Sequence, residues 1–227
     1  MASHISLEFK PSINEILPGL YLGNEETACH IPTLEKYNIS SMVSMTKIRH
    51  PLMWGNSNPR FREIVPEERH LFISCTDSQD ENLLVHLSDI CNFIDNQLGR
   101  GLRPKPNDIH NIDGDAQNLQ SVGASVQRNV LVHCQKGISR SGTAVMAYMM
   151  RKQVMDRDTA LTIVRLLRDH VRPNPNFMDQ LAQWELAEYD IWADVEKTKP
   201  KVHYRAVLER LERQKQEKAA AKKQWSL

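Results

Sequence analysis

The sequence predicts an α/β fold, in which a central, mostly parallel and twisted sheet is flanked by helices and followed by a helical extension at the C-terminus. Short apolar runs that suit buried strands alternate along the chain with segments of helical periodicity. Turn residues separate the two kinds of segment. Strong helix formers dominate after residue 200, which predicts the extension.

The predicted strands are short. Residues 13–24, INEILPGLYLGN, indicate either a strand pair or a strand with a Pro-Gly turn. Compact apolar runs at residues 39–45 (ISSMVSM), 69–75 (RHLFISC) and 129–134 (NVLVHC) predict buried strands. These runs lack strict alternation because a strand that is covered on both faces has no polar side.

Apolar residues at helical spacing predict the helices. One stripe consists of Leu83, Leu87, Ile90 and Ile94. Residues 46–68 are rich in Pro, Gly, Asn and charge, and therefore predict a loop. Further helices are predicted at residues 26–38, 141–153, 156–170 and 178–197, and after residue 200.

The length and composition suit one globular domain with attachments, since the chain has 227 residues, of which 41% are hydrophobic and 25% charged. We expect this domain to cover residues 13–195. Residues 99–127 are rich in Gly, Pro, Asn and Asp and lack periodicity, which predicts a mobile loop insertion, either functional or simply tolerated. Residues 196–227 are predicted to form a basic helical extension.

The charge and cysteine content exclude several classes of protein. The net charge is +1, so no nucleic-acid partner is expected from overall charge, and binding of phosphate requires a local site. The four cysteines form no CxxC pair and have no metal-type spacing with histidine, so no zinc site is expected. We expect no other metal and no cofactor. No apolar run has the length of a signal peptide or a membrane span. We expect a reduced compartment, the cytoplasm and/or the nucleus.

Residues 130–142, VLVHCQKGISRSG, join a predicted strand to a predicted helix through a short loop. Such a loop lies at the carboxyl end of the sheet, where the free N–H groups of the helix favour an anion. Gly137 permits tight curvature, and the guanidinium of Arg140 matches two phosphate oxygens. The predicted phosphate-binding residues are Gln135, Lys136, Gly137, Ile138, Ser139 and Arg140.

Cys134 ends the predicted strand at the bottom of this positively charged loop. We expect a thiolate there, because the pKa of activated cysteines falls to about 3.5–7.5. A thiolate attacks phosphorus and forms a covalent thiophosphate. Ser141 donates a hydrogen bond to the sulfur when it leaves, and His133 is expected to orient the site rather than to act as a base.

The segment HCQKGISRS, residues 133–141, resembles the HCxxGxxRS signature of the cysteine-dependent protein phosphatases. The serine before the arginine and the AYMM of the next helix resemble the dual-specificity branch. The segments ILPGLYLGNEETA and RPNPNFMDQLAQWE are also similar to that family, so the resemblance covers residues 13–189 apart from residues 99–127. It implies a cysteine-phosphatase-like fold and a catalytic domain that hydrolyses phosphotyrosine and phosphoserine/threonine in phosphorylated proteins without a metal.

The resemblance also implies a general acid on a separate loop, five positions before Asn82, which is Asp77. Asp77 directly follows a predicted strand, so it can lie at the same edge of the sheet as Cys134; Asp80 is its rival. Asn174 matches the usual asparagine of the family and is expected to orient the site. Asn176 stands where that family usually has glycine, and we expect little change because asparagine tolerates a left-handed backbone.

Two other functions stay open. One is a phosphatase that uses the same loop on phosphoinositides or nucleic-acid phosphates, although such relatives generally carry more basic residues there than Lys136 and Arg140. The other is an inactive relative that binds phosphoprotein, although such relatives typically lose the cysteine that Cys134 supplies. A protein phosphatase is therefore favoured.

Two side features also have alternative interpretations. Cys75 is a core thiol or the partner of Cys134 in a transient disulfide, and the core thiol is favoured. The C-terminal helix binds an acidic partner, pairs as a coil, or is solvated and partly frayed. Val207, Leu208 and Leu211 do not sustain heptads, which favours the solvated helix.

Overall fold

The computed structural model describes residues 10–51, 53, 58–99 and 128–224. Its strands are β1 (Ile13–Leu17), β2 (Leu20–Gly23), β3 (Ile39–Thr46), β4 (His70–Ser74) and β5 (Asn129–Cys134). They form one sheet in the order β1-β2-β5-β3-β4, with β1 antiparallel to β2 and the other neighbours parallel. The predicted mostly parallel sheet is confirmed.

Helices cover both faces of this sheet. They are α1 (Glu25–Cys29), α2 (Ile31–Lys36), α3 (Pro59–Ile64), α4 (Leu84–Gln97), α5 (Arg140–Gln153), α6 (Arg157–Leu167), α7 (Pro175–Leu186) and α8 (Val202–Gln224). The larger core lies between the sheet and α4 to α8, and the smaller core lies under α1 to α3. Helix α5 is buried on all sides over its first three turns, because α4, α6, α7 and the sheet surround it.

Strand β5 shows why the apolar runs in the sequence were compact. Val130 and Val132 face the larger core, whereas Leu131 faces the smaller one, and all three are fully buried. Since side chains alternate between the two faces of a strand, His133 continues on the side of Leu131 and Cys134 on the side of Val132. The last two residues of β5 therefore serve opposite faces of the sheet.

The single helix predicted over residues 26–38 is wrong, because the structure has two short helices there. Asn24 caps α1 by accepting a hydrogen bond from the backbone N–H of Thr27 at 3.1 Å. His30 then adopts an extended backbone and separates the helices. Pro32 lies in the first turn of α2, where its missing N–H is harmless; inside a continuous helix it would remove one hydrogen bond and clash with the preceding turn.

The loop predicted over residues 46–68 also contains a helix that the prediction missed, α3. The same residue types that suggested a loop begin this helix: Asn58 accepts a hydrogen bond from the N–H of Phe61, and Pro59 occupies the first turn. Phe61 and Val65 are buried and close the smaller core. A short helical turn at Glu67–Arg69 then leads into β4.

The predicted insertion at residues 99–127 lies outside the described residues, apart from Gly99, which follows α4. Within the described ranges, no helix combines the length and the apolar character needed to cross a bilayer.

The interpretation of α8 as a solvated, frayed helix is wrong for its first half. Tyr204, Val207 and Leu211 are buried in the larger core. The ring of Tyr204 also packs edge-on against Trp192, with centroids 5.3 Å apart. Three apolar positions are too few for a coiled coil, but they suffice to dock one face of the helix against α7.

We expect Leu211→Ala to lower the free energy of unfolding by about 2–4 kcal/mol, because Leu211 is 4% exposed and its removal leaves a cavity. Leu208, on the same helix and 38% exposed, provides the matched control, and Leu208→Ala should cost less than about 1 kcal/mol. Urea denaturation measures both. Equal, small losses would show that α8 does not dock in solution.

Candidate active site

The loop from β5 to α5 lines a cavity of about 370 Å³ at the carboxyl end of the central strand. Most of the predicted site residues meet there. The cavity is lined by Asp77, Cys134, Gln135, Lys136, Ile138, Ser139, Arg140, Arg172 and Asn174. Because β5 has a parallel neighbour on each side, this cavity lies where α/β sheets usually bind ligands.

Gly137 produces the tight curvature of the loop. Its φ of +66° is one that side-chain-bearing residues rarely adopt, and a Cβ atom there would lie 2.5 Å from the carbonyl oxygen of Gly23. The loop therefore packs directly against the end of β2. This close approach places the Gly137 N–H 3.3 Å from the sulfur of Cys134, to which it donates.

Cys134 is 2% exposed and lies at the bottom of the loop. Besides the N–H of Gly137, the hydroxyl of Ser141 donates to its sulfur at 3.2 Å. Ser141 lies in the first turn of α5, so the helix brings both its hydroxyl and the positive end of its dipole to the sulfur. Both contacts favour a negatively charged sulfur.

Arg140 is the first residue of α5, and its guanidinium is buried. Its Nη1 donates to the backbone carbonyl oxygen of Cys75 at 3.2 Å, which ties the arginine to the end of β4. Its Nε is buried without a hydrogen-bond partner among the described residues. A buried donor of this kind is costly unless a ligand provides the acceptor.

Asp77 follows β4 and faces the cavity. One of its carboxylate oxygens accepts hydrogen bonds from the hydroxyl of Ser139 at 2.7 Å and from the side-chain amide of Asn174 at 2.8 Å. Asp80 lies away from the cavity, where the ammonium of Lys218 hydrogen-bonds its carboxylate and lowers its pKa. The geometry therefore brings Asp77, and not its rival, to Cys134.

Asn174 also caps α7 by accepting a hydrogen bond from the N–H of Phe177 at 3.0 Å.

The expectation that Asn176 adopts a left-handed backbone is wrong. Its backbone is not left-handed; it lies in the first turn of α7, and its buried side chain donates to the carbonyl oxygens of Ser78 and Glu81. It is this side chain, and not backbone tolerance, that gives the residue a role.

His133 lies behind the loop in a buried polar cluster. The hydroxyl of Ser44 is 2.6 Å from Nε2 of His133 and 2.7 Å from Nε2 of His70. Since a hydroxyl has one proton, Ser44 donates to at most one ring and accepts from the other. Burial, above all, lowers the pKa of each histidine to about 3, so both rings are neutral at physiological pH. Ser44 and His70 thus fix the ring of His133.

Sequence reasoning missed two arginines at the site. Arg168 is buried and donates through Nε to the carbonyl oxygen of Gly137 at 3.0 Å, while its Nη1 donates to Asn14 at 2.7 Å. The backbone N–H of Arg172 donates to the carbonyl oxygen of Ile138 at 3.1 Å, and Arg172 lines the cavity. Neither contact has a signal in the local sequence, because each partner lies more than 30 residues away.

The interpretation of Cys75 as a core thiol agrees with its surroundings. It is buried, and burial is the main cause that raises the pKa of its thiol to about 12. The thiolate needed for ready oxidation is therefore scarce at neutral pH. A transient disulfide with Cys134 stays the less favoured alternative.

The histidine cluster predicts loss of stability in mild acid. The folded-state pKa values of His70 and His133, about 3, lie below the usual value of 6.5. Between pH 3 and 6.5 these two histidines therefore take up protons only in the unfolded chain. Stability should therefore fall as pH falls below 6.5, by about 2 kcal/mol per histidine at pH 5. Urea denaturation at pH 7.5, 6 and 5 measures this, and His70→Gln should reduce the fall. The same pH dependence in both proteins would contradict the assignment.

Comparison with known proteins agrees with this geometry. Residues 114–187 match the family model described as the catalytic domain of dual specificity phosphatases. The dual specificity protein phosphatase MPK-4 of Drosophila melanogaster is 30% identical over 75% of this chain, which spans 35% of that protein. The dual specificity protein phosphatase 22-B of Danio rerio is 28% identical over 78% of this chain and 75% of its own length. The chain thus spans about a third of the length of the first curated relatives.

Solved structures give the same result. The human tyrosine phosphatase-like serine/threonine/tyrosine-interacting protein superposes with a TM-score of 0.58 at 27% identity, over 78% of this chain and 98% of the other. DUSP15 superposes with a TM-score of 0.59 at 25% identity, over 78% and 90% of the two chains. Together with the catalytic-domain match, these similarities support membership of the dual-specificity phosphatase family.

Proposed function

We propose that this chain is a dual-specificity protein phosphatase, which hydrolyses phosphotyrosine and phosphoserine/threonine in proteins through a cysteinyl-phosphate intermediate. The observation that carries the proposal is the convergence of Cys134, Arg140 and Asp77 on one cavity. The catalytic domain would be residues 13–195, with residues 196–227 as an extension. The cytoplasm and/or the nucleus is the compartment where free thiols such as Cys134 persist.

In the first chemical step the phosphate group binds in the loop. Its oxygens accept hydrogen bonds from the loop N–H groups and from the guanidinium of Arg140, whose Nε then gains an acceptor. The sulfur of Cys134 attacks phosphorus, and the bond from phosphorus to the ester oxygen breaks. Asp77 gives its proton to the departing oxygen, so that an alcohol or phenol leaves rather than its anion.

In the second step water hydrolyses the cysteinyl phosphate. The carboxylate of Asp77 takes a proton from the water as its oxygen attacks phosphorus, and the bond between phosphorus and sulfur breaks. Ser141 already donates to the sulfur at 3.2 Å, so it stabilises the thiolate as it leaves. Inorganic phosphate is released, and Cys134 and Asp77 return to their starting states.

A phosphoinositide phosphatase is the second candidate. The observation in its favour is Arg172, which adds a third basic side chain to Lys136 and Arg140 around the cavity. Binding without catalysis is a weaker candidate, because both the sulfur and the acid are present. Assaying an aryl phosphate, phosphopeptides and phosphoinositides side by side separates these functions: preference for lipid by a large factor would replace the protein phosphatase, and no turnover at all would leave the binding protein.

We expect Cys134→Ser to abolish turnover, a loss of at least about 10⁴-fold, because a hydroxyl is a far weaker nucleophile than a thiolate. The rest of the loop is unchanged, so the variant should still bind an oxyanion such as tungstate. Steady-state kinetics and isothermal titration calorimetry measure the two properties. Residual turnover near that of the intact protein would rule out the covalent mechanism.

We expect Asp77→Ala to slow the hydrolysis of poor leaving groups such as phenyl phosphate by about 10²–10³-fold. A good leaving group such as 4-nitrophenyl phosphate needs little protonation, so its rate should fall far less. Asp80→Ala is the matched control, and it should produce no comparable dependence on the leaving group. If Asp80→Ala and not Asp77→Ala slowed the poor leaving group selectively, the general acid would be Asp80.

A further inference from the structure

We propose that α8 positions the general acid: Arg210, acting through Asn176, holds the loop of residues 76–82 that carries Asp77. Arg210 is a positioning residue in this proposal, since it touches no reacting atom. The inference rests on the proposed function, because it assigns Arg210 a part in the step that Asp77 performs.

Buried side-chain amides of α7 form hydrogen bonds with the backbone of the acid loop (residues 76–82). The side-chain nitrogen of Asn176 donates to the carbonyl oxygen of Glu81 at 2.8 Å and to that of Ser78 at 3.4 Å. Gln180 donates to the same oxygen of Glu81 at 2.7 Å. Asn176 is 4% exposed and Gln180 is fully buried, so water does not compete for these bonds. The backbone of the acid loop is therefore attached to α7.

Arg210 fixes the direction in which Asn176 points. The side-chain oxygen of Asn176 accepts from Nη2 of Arg210 at 2.9 Å and from Gln180 at 3.0 Å. With its oxygen held by a charged donor, the amide can present only its nitrogen to the acid loop. The guanidinium itself is oriented by Asp179, which accepts from Nη1 at 2.8 Å. Arg210 on α8 thus contacts Asn176 on α7, and Asn176 contacts the acid loop.

Helix α8 also touches the acid loop directly. The side-chain amide of Asn82 donates to the hydroxyl of Tyr204 at 3.0 Å, at the end of the loop. Lys218 pairs with Asp80 at 3.0 Å, but its side chain is 60% exposed, so this ion pair contributes little. Tyr204 is buried and Arg210 is 29% exposed, so these two residues carry the connection.

Such a connection matters because general acid catalysis is sensitive to distance. The carboxylate of Asp77 is oriented by Ser139 and Asn174, whereas the backbone that carries it is held by α7 and α8. A displacement of about 1 Å can lower the rate about 10²-fold. Loss of Arg210 should loosen the backbone and leave the phosphate loop, with Cys134, intact.

The test is Arg210→Ala, assayed with phenyl phosphate and 4-nitrophenyl phosphate. We expect kcat for the poor leaving group to fall about tenfold and kcat for the good one less than about twofold, with KM nearly unchanged. Arg213→Ala, an exposed arginine on the same helix, is the matched control and should alter neither rate. The ratio of the two rates does not depend on the fraction of folded protein, so an equal loss for both substrates would overturn the proposal.

A double variant tests whether Arg210 acts through Asp77. In the Asp77→Ala background the acid is absent, so adding Arg210→Ala should change the rate with phenyl phosphate by less than about twofold. A further loss of about tenfold would show that Arg210 acts by another route and would overturn the proposal.

Hydrogen exchange separates this proposal from the proposed function. If the intact protein hydrolyses no phosphate ester, the proposed function fails, and the positioning role is then judged from the amides of residues 76–82. We expect Arg210→Ala to speed their exchange about tenfold and Arg213→Ala to leave it unchanged. Equal exchange in the two variants would overturn the positioning role whether or not the protein is active.

Discussion

The close contact between Gly137 and Gly23 is the constraint on which the site depends. The left-handed turn at Gly137 leaves no room for a Cβ atom beside β2, and it aims a backbone N–H at the sulfur of Cys134. Arg168 fixes the same residue by donating to the carbonyl oxygen of Gly137. These contacts fix the shape of the proposed anion-binding loop through protein groups alone, which is what electrostatic preorganisation requires.

The two residues that end β5 are supported from opposite faces of the sheet. Cys134 ends β5 on the side of α5, whose first turn supplies Arg140 and Ser141, whereas His133 ends it on the opposite side, beside Ser44. The sulfur of Cys134 therefore has hydrogen-bond donors on one side and a rigid, neutral histidine cluster on the other. Both faces must be fully packed for this arrangement, and the two cores provide that packing.

Local chemistry decides how far the sequence could predict this structure. Strand β5 and the loop after it were predictable, because burial on two faces and a strand–glycine–helix pattern leave clear local signals. Pro32 and Asn58 misled the helix boundaries, since the same residue types end one element and begin another. The roles of Arg168 and Asn176 had no local signal, because they depend on partners that only the tertiary fold brings near.

The tether between Arg140 and Cys75 has a consequence for robustness. The acceptor is a main-chain oxygen, so no change of side chain at position 75 can delete it. Only movement of the polypeptide itself can release the guanidinium. Because β4 is the edge strand of the described sheet, a displacement of its C-terminal end would move the carbonyl oxygen that holds the guanidinium of Arg140.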